Sequence, residues 1–152
     1  MHPYFQTLLT AMTPVGELRL SIPIALGKLG LSVPEAYLIS IIGNLVPVIF
    51  LLLFLHSVSL FLIRHSRFFE LFFSWFFERT RRRVETKYRV LGYLALVLFV
   101  AMPLPVTGAW TGSAAAYLLG IPFWKAFGLI TVGVLIAGLL VTLASVGVIT
   151  IL

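Results

Sequence analysis

Two stretches of this chain are too long, too apolar and too poor in charge to suit the interior of a soluble domain. Ala36 to Leu55 carries no charged residue and continues without one to Ile63, and Phe127 to Leu152 is a second uncharged run, of 26 residues. A helix crossing a hydrocarbon core of about 30 Å needs about 20 such residues, so both read as full membrane spans. Composition agrees, with 61% of the 152 residues hydrophobic and 11% charged, against roughly a quarter charged in soluble domains. The length suits one domain.

Two further apolar regions are too short to cross. Val90 to Met102 offers 13 residues, about 20 Å of helix. Pro103-Leu104-Pro105 then ends it, because each proline lacks an amide and its ring clashes with the preceding turn. Thr107 to Leu119 follows and runs to Gly120-Ile121-Pro122. The N-terminal region repeats the design: His2 to Met12, a break at Thr13-Pro14, then Val15 to Leu29 before Gly30. Each pair of pieces is expected to form a re-entrant hairpin that dips into the bilayer and returns. Open backbone at that depth must be covered by protein or line a cavity, so the breaks at Pro14, Pro103 and Pro105, with Pro23 as a further break, are expected to face one another inside the protein.

The halves resemble each other at an offset of 90. Ala25, Leu29, Gly30, Ala36, Gly43, Leu45 and Leu53 match Ala115, Leu119, Gly120, Ala126, Gly133, Leu135 and Leu143. Each unit makes one full crossing, so the second starts from the opposite side and the repeats are inverted, as in many secondary transporters. The expected fold is an all-α integral membrane protein: repeat 1 over 1–63, a linker over 64–89 and repeat 2 over 90–152.

That linker holds eight of the eleven Lys and Arg and three of the five acids. Between Arg67 and Arg81 the polar residues fall three or four apart among Phe68, Phe69, Phe72, Phe73, Trp75, Phe76 and Phe77, the pattern of an aromatic helix lying in the membrane interface. Its basic run is placed in the cytoplasm by the positive-inside rule, facing anionic lipid rather than nucleic acid. Both termini then lie outside a cell (inner or plasma) membrane. The start of the chain shows neither a basic segment nor a small-residue cleavage site, so Met1 onward is expected in the mature protein.

Ionisable groups at membrane depth are costly and mark function. Glu17 and Arg19 follow the first break in Pro14-Val-Gly-Glu17-Leu-Arg19-Leu-Ser21-Ile-Pro23. They suggest a proton-accepting carboxylate near a half-helix N-terminus and a guanidinium for an anionic group. Two positions apart on a helix, they need not pair with each other; a structural pair pinning the hairpin is the competing reading. Around the second break Thr107, Trp110 and Thr111 are candidate ligand groups, and Asn44, mid-span, is either a ligand or helix-to-helix glue. His56 reads as interfacial. Cysteine is absent, and there is no nucleotide loop, His-Glu-x-x-His or Gly-x-Ser-x-Gly. No enzyme, metal or cofactor is expected; membrane lipids are the expected partners, and a homodimer is left open.

The motifs Pro14-x-x-Glu17-Leu-Arg19-x-x-Ile22-Pro23 and Pro103-x-Pro105-x-Thr107-Gly108-Ala109-Trp110 resemble those of the small multidrug export protein family, over nearly the whole chain. That family looks distantly related to the DedA, or VTT-domain, superfamily, whose paired re-entrant hairpins are implicated in moving lipid phosphates, in lipid scrambling and in proton-dependent drug tolerance. Glu17, Arg19 and the prolines carry over; the arginines usual near the second proline do not, since Met102, Leu104 and Val106 stand there. The leading expectation is a translocase for an amphiphilic or lipid-like substrate, coupled to protons through Glu17. The alternatives are a small cationic multidrug exporter with Glu17 as ligand, and a membrane-shaping scaffold.

Overall fold

The computed structural model describes residues 2–65, 67, 71, 86–103 and 107–151, and they are helical apart from short turns. In chain order the helices are α1 (Pro3–Met12), α2 (Glu17–Gly27), α3 (Val33–His65), α4 (Thr86–Ala101), α5 (Ala109–Leu118) and α6 (Phe123–Ile151). Most of the expected aromatic linker helix, and Pro105, lie outside the described residues.

Local chemistry sets the boundaries. Pro3 opens α1, where its missing amide costs nothing. Pro14 closes it by holding Thr13 extended at φ −74°, ψ 142°. The Thr13 hydroxyl then ties the turn together, donating to the Thr10 carbonyl at 2.8 Å and accepting from the Gly16 amide at 3.1 Å. α3 starts with a capping arrangement: Glu35 Oε2 accepts from the Ser32 amide at 2.9 Å and from the Ser32 hydroxyl at 2.6 Å.

Pro23 is not a break. It lies within α2, which loses one hydrogen bond, to the Arg19 carbonyl, and carries on. Pro47 is accommodated in the same way inside α3.

α3 and α6 contain the two apolar spans, Val33–Leu55 and Phe123–Ile151. Large apolar side chains cover their outer faces, among them Leu38, Ile42 and Phe50 on α3 and Leu139 and Leu143 on α6. A helix apolar on its exposed face as well as its packed one suits lipid rather than water. The packed faces meet around Ile22, Val48, Val100, Ile130 and Val134, each no more than 2% exposed.

The contact pattern has an internal order. α1 packs on α2 and α3, and α4 on α5 and α6; α2 packs on α3, and α5 on α6; across the halves, α2 meets α6, α3 meets α5 and α3 meets α6. Exchanging α1 with α4, α2 with α5 and α3 with α6 returns the same set. Local geometry follows the offset of 90: Gly30 and Gly120 stand at φ 66° and 65°, the left-handed turn before each long helix, and those helices begin at Val33 and Phe123.

Helix crossings extend the match. A Cβ on Gly43 would lie 2.7 Å from the Leu8 carbonyl oxygen and 2.9 Å from Ala11 Cβ; one on Gly133 would lie 3.0 Å from the Val97 carbonyl oxygen and 2.7 Å from Val100 Cβ. Leu8 to Val97 and Ala11 to Val100 are both 89 positions apart, and the same spacing pairs Pro14 with Pro103. Gly43→Val and Gly133→Val are therefore expected to destabilise the fold by about 1–3 kcal/mol through overpacking. Gly128→Val, where a Cβ meets nothing within 4 Å, is expected to leave it unchanged. Thermal unfolding in detergent compares the three, and equal melting temperatures would remove the crossings from the account.

Candidate functional site

Glu17 opens α2 with φ 42°, the one positive φ at a non-glycine among the described residues. Such a left-handed residue costs roughly 1–2 kcal/mol, and strain of this sort gathers at functional sites. The carboxylate is directed away from its own helix. Its Oε1 accepts from the Trp110 amide at 3.4 Å, in the first turn of α5, and the Ala109 amide faces it too. Glu17 thus caps a helix from the other half of the chain. The sequence predicts a place near a half-helix N-terminus, and the amides that Glu17 meets are those of α5. The physics is the same, because free amides and the helix dipole favour an anion at any helix N-terminus.

Gly108 makes the approach possible. A Cβ there would lie 2.6 Å from both Cδ and Oε1 of Glu17, so the carboxylate occupies the space a side chain would need.

Arg19 turns to the same segment. Its guanidinium donates to the Thr107 carbonyl, and Nη2 lies 3.9 Å from Glu17 Oε2. The sequence does not require the two to pair, and they lie at ion-pair distance, as the competing reading of a structural pair has it. Regular helical spacing would have separated them, but Glu17 has left-handed geometry and both side chains converge on 107–110. With Arg19 one quarter exposed and Glu17 at 9%, the ion pair by itself contributes little. The long bond from the Trp110 amide and the fit against Gly108 hold the carboxylate.

Glu17, Arg19, Asn44, Pro103 and Thr107 line one cleft, together with Gly108 and Met102. Glu17 and Arg19 are its only charged groups among the described residues. Its volume is about 10 Å³, room for about one water molecule, so the two halves are closed upon each other here. Thr107 braces the loop by donating to the Met102 carbonyl at 2.5 Å. Trp110 reaches the site through its backbone amide, while its buried indole Nε1 has no hydrogen-bond partner among the described residues. Thr111 is exposed, donates weakly to the Gly108 carbonyl at 3.4 Å, and does not line the cleft. Pro14 and Pro103 are both exposed, which corrects the expectation that the prolines face one another inside the protein. The residues that follow the breaks, Glu17 and Arg19 on one side and Thr107 to Trp110 on the other, meet instead. No group of His, Asp or Glu among the described residues could hold a metal.

Sequence reasoning names Gly108 within the second motif but gives it no role. The available signal is a glycine three residues after Pro105 and directly before a helix, in a stretch from Val90 to Leu119 with no acid of its own.

A family model described as "Putative small multi-drug export protein" matches residues 17–140. No curated protein and no solved structure matches the chain.

Proposed function

The chain belongs to that family of small multi-drug export proteins, and on this premise we propose that it is a membrane exporter of small cationic molecules, with Glu17 as the group shared by substrate and proton. The observation that carries the proposal is the buried Glu17 side chain, 9% exposed, held in a strained backbone conformation against a helix from the other half. An acid placed there at such cost has a use beyond packing.

In this reading the two hairpins re-enter the membrane from opposite faces, and α3 and α6 are the crossings of two inverted repeats. The Glu17 bonds to α5 are the latch of the ionised, empty state. A substrate cation competes with the α5 amides for the carboxylate, and protonation releases the substrate. The cleft must widen to admit it, since drug-sized sites occupy about 300–1,000 Å³.

Arg19 supported the lipid-phosphate expectation while it was read as a free guanidinium. Its bond to Thr107 and its closeness to Glu17 remove much of that support, and they offset its repulsion of a cation. Family membership speaks for export of drugs rather than translocation of lipids.

Reconstituted liposomes test the proposal. A pH gradient is expected to drive accumulation of a fluorescent cationic dye and to leave a labelled lipid phosphate where it started. Lipid-phosphate movement without dye movement would restore the earlier expectation, and neither moving would end the transport reading.

A further inference from the structure

Hydroxyls in apolar helices normally satisfy themselves by donating to the carbonyl one turn back. Four of the six buried hydroxyl residues among those described do so: Thr7 to Pro3 at 2.9 Å, and Ser113 to Ala109, Thr142 to Gly138 and Ser145 to Val141 at 2.7 Å each. Ser21 and Ser40 do not. Both are 0% exposed, and neither hydroxyl has a partner. Asn44, 1% exposed and lining the cleft, likewise has an unpartnered Oδ1. Leaving a buried polar group unsatisfied costs roughly 1–3 kcal/mol, and here three such groups occur in two neighbouring helices.

Their placement is ordered. Ser21 lies one turn beyond Glu17 on α2, and Ser40 one turn before Asn44 on α3. The short turn through Gly30 joins α2 to α3 as packed neighbours, so both serines lie on the Gly30 side of the cleft. Pro23 and Pro47 add to the polarity of the same two helices, because neither has an amide to offer the carbonyl of Arg19 or of Gly43. Side chains one turn apart are about 6 Å apart, the span that a single water bridges with two hydrogen bonds of about 2.8 Å.

At the matching positions α6 is built the other way. At the offset of 90, Ser40 corresponds to Ile130 and Asn44 to Val134, both buried. Ala126, at 0% exposure, continues this apolar run of α6 towards Gly120.

We propose that Ser21, Ser40 and Asn44 line a single-file water path connecting Glu17 with the membrane face that bears Gly30, and that Ile130, Val134 and their neighbours seal the face that bears Gly120. The path rests on the exporter reading and deepens it: with the cleft closed, protons reach Glu17 from the outer side, and they leave it inward only when the cleft opens. Arg19 is the other charged group at its inner end.

The absence of cysteine makes the test clean. Ser40→Cys, Ile130→Cys and Ala126→Cys are made singly, and intact cells are exposed to Ag⁺, small enough for a single-file path. The protein is then denatured in detergent and labelled with a fluorescent maleimide; Ag⁺ bound to the thiol blocks the label. Ser40→Cys is expected to lose at least tenfold of its labelling, and the other two none. Ser40→Cys labelling fully after Ag⁺, Ser40→Cys protected only when Ag⁺ is added to inverted vesicles, or Ile130→Cys or Ala126→Cys protected as well as Ser40→Cys, would each overturn the path. Thiol protection requires no transport, so a protected Ser40→Cys in a protein that moves no dye would count against the exporter reading and leave the path standing.

Discussion

Glu17→Gln is expected to abolish the dependence of dye transport on the pH gradient and to slow gradient-driven accumulation by at least tenfold. The amide keeps the length and shape of the side chain, and its oxygen still accepts from Trp110, so the latch and the fold survive. Two properties are lost: the charge that attracts a cation and the site that a proton occupies. Dye flux measured over a range of internal and external pH separates these effects from misfolding, provided the variant melts close to the parent. A Glu17→Gln protein that follows the gradient as the parent does would make Glu17 a structural cap and nothing more.

Gly108→Ala is expected to be nearly as damaging, although it adds one methyl group far from Glu17 in sequence. The new Cβ takes the space of the carboxylate. Glu17 must swing away, losing its bonds to α5 and its position beside Arg19. The φ of 160° at Gly108 is extended backbone open to alanine, so the damage comes from contact and not from backbone strain. This gives the prediction an internal control. Glu17→Asp shortens the acid by one methylene, and the pair Gly108→Ala with Glu17→Asp is expected to recover part of the dye transport lost by Gly108→Ala. Transport at the parent's rate by Gly108→Ala alone would show that the carboxylate does not need its place against α5.

The long helices were legible because nothing had to be inferred about faces: Ala36–Leu55 and Phe127–Leu152 are apolar all round, and length alone decides. The short ones were legible through Pro14 and Pro103. Their ends were read less well, because caps rather than hydropathy set them; Ser32 with Glu35 moves the start of α3 forward to Val33. Pro23 misled because a proline's meaning depends on whether its turn can spare one bond, which is settled by packing. Glu17 and Arg19 stood out as charges in an apolar setting. That Glu17 caps a helix beginning at Ala109 could not be read from spacing, since the bond spans 93 positions. Nor does sequence distinguish Ser40 from Ser113; the difference is which way each hydroxyl turns.

The unequal division of labour between the halves bears on energetics. The first half supplies the acid and the second supplies backbone amides and a glycine, so the cleft holds one carboxylate among the described residues. Had both halves kept an acid, two carboxylates would share the space and titrate as a coupled pair. One carboxylate exchanging one proton for one monovalent cation moves no net charge across the membrane. Under the proposed exchange the membrane voltage does no work in the cycle, and the pH difference alone sets the limit. Each pH unit supplies about 1.4 kcal/mol, which holds the substrate at about a tenfold concentration ratio.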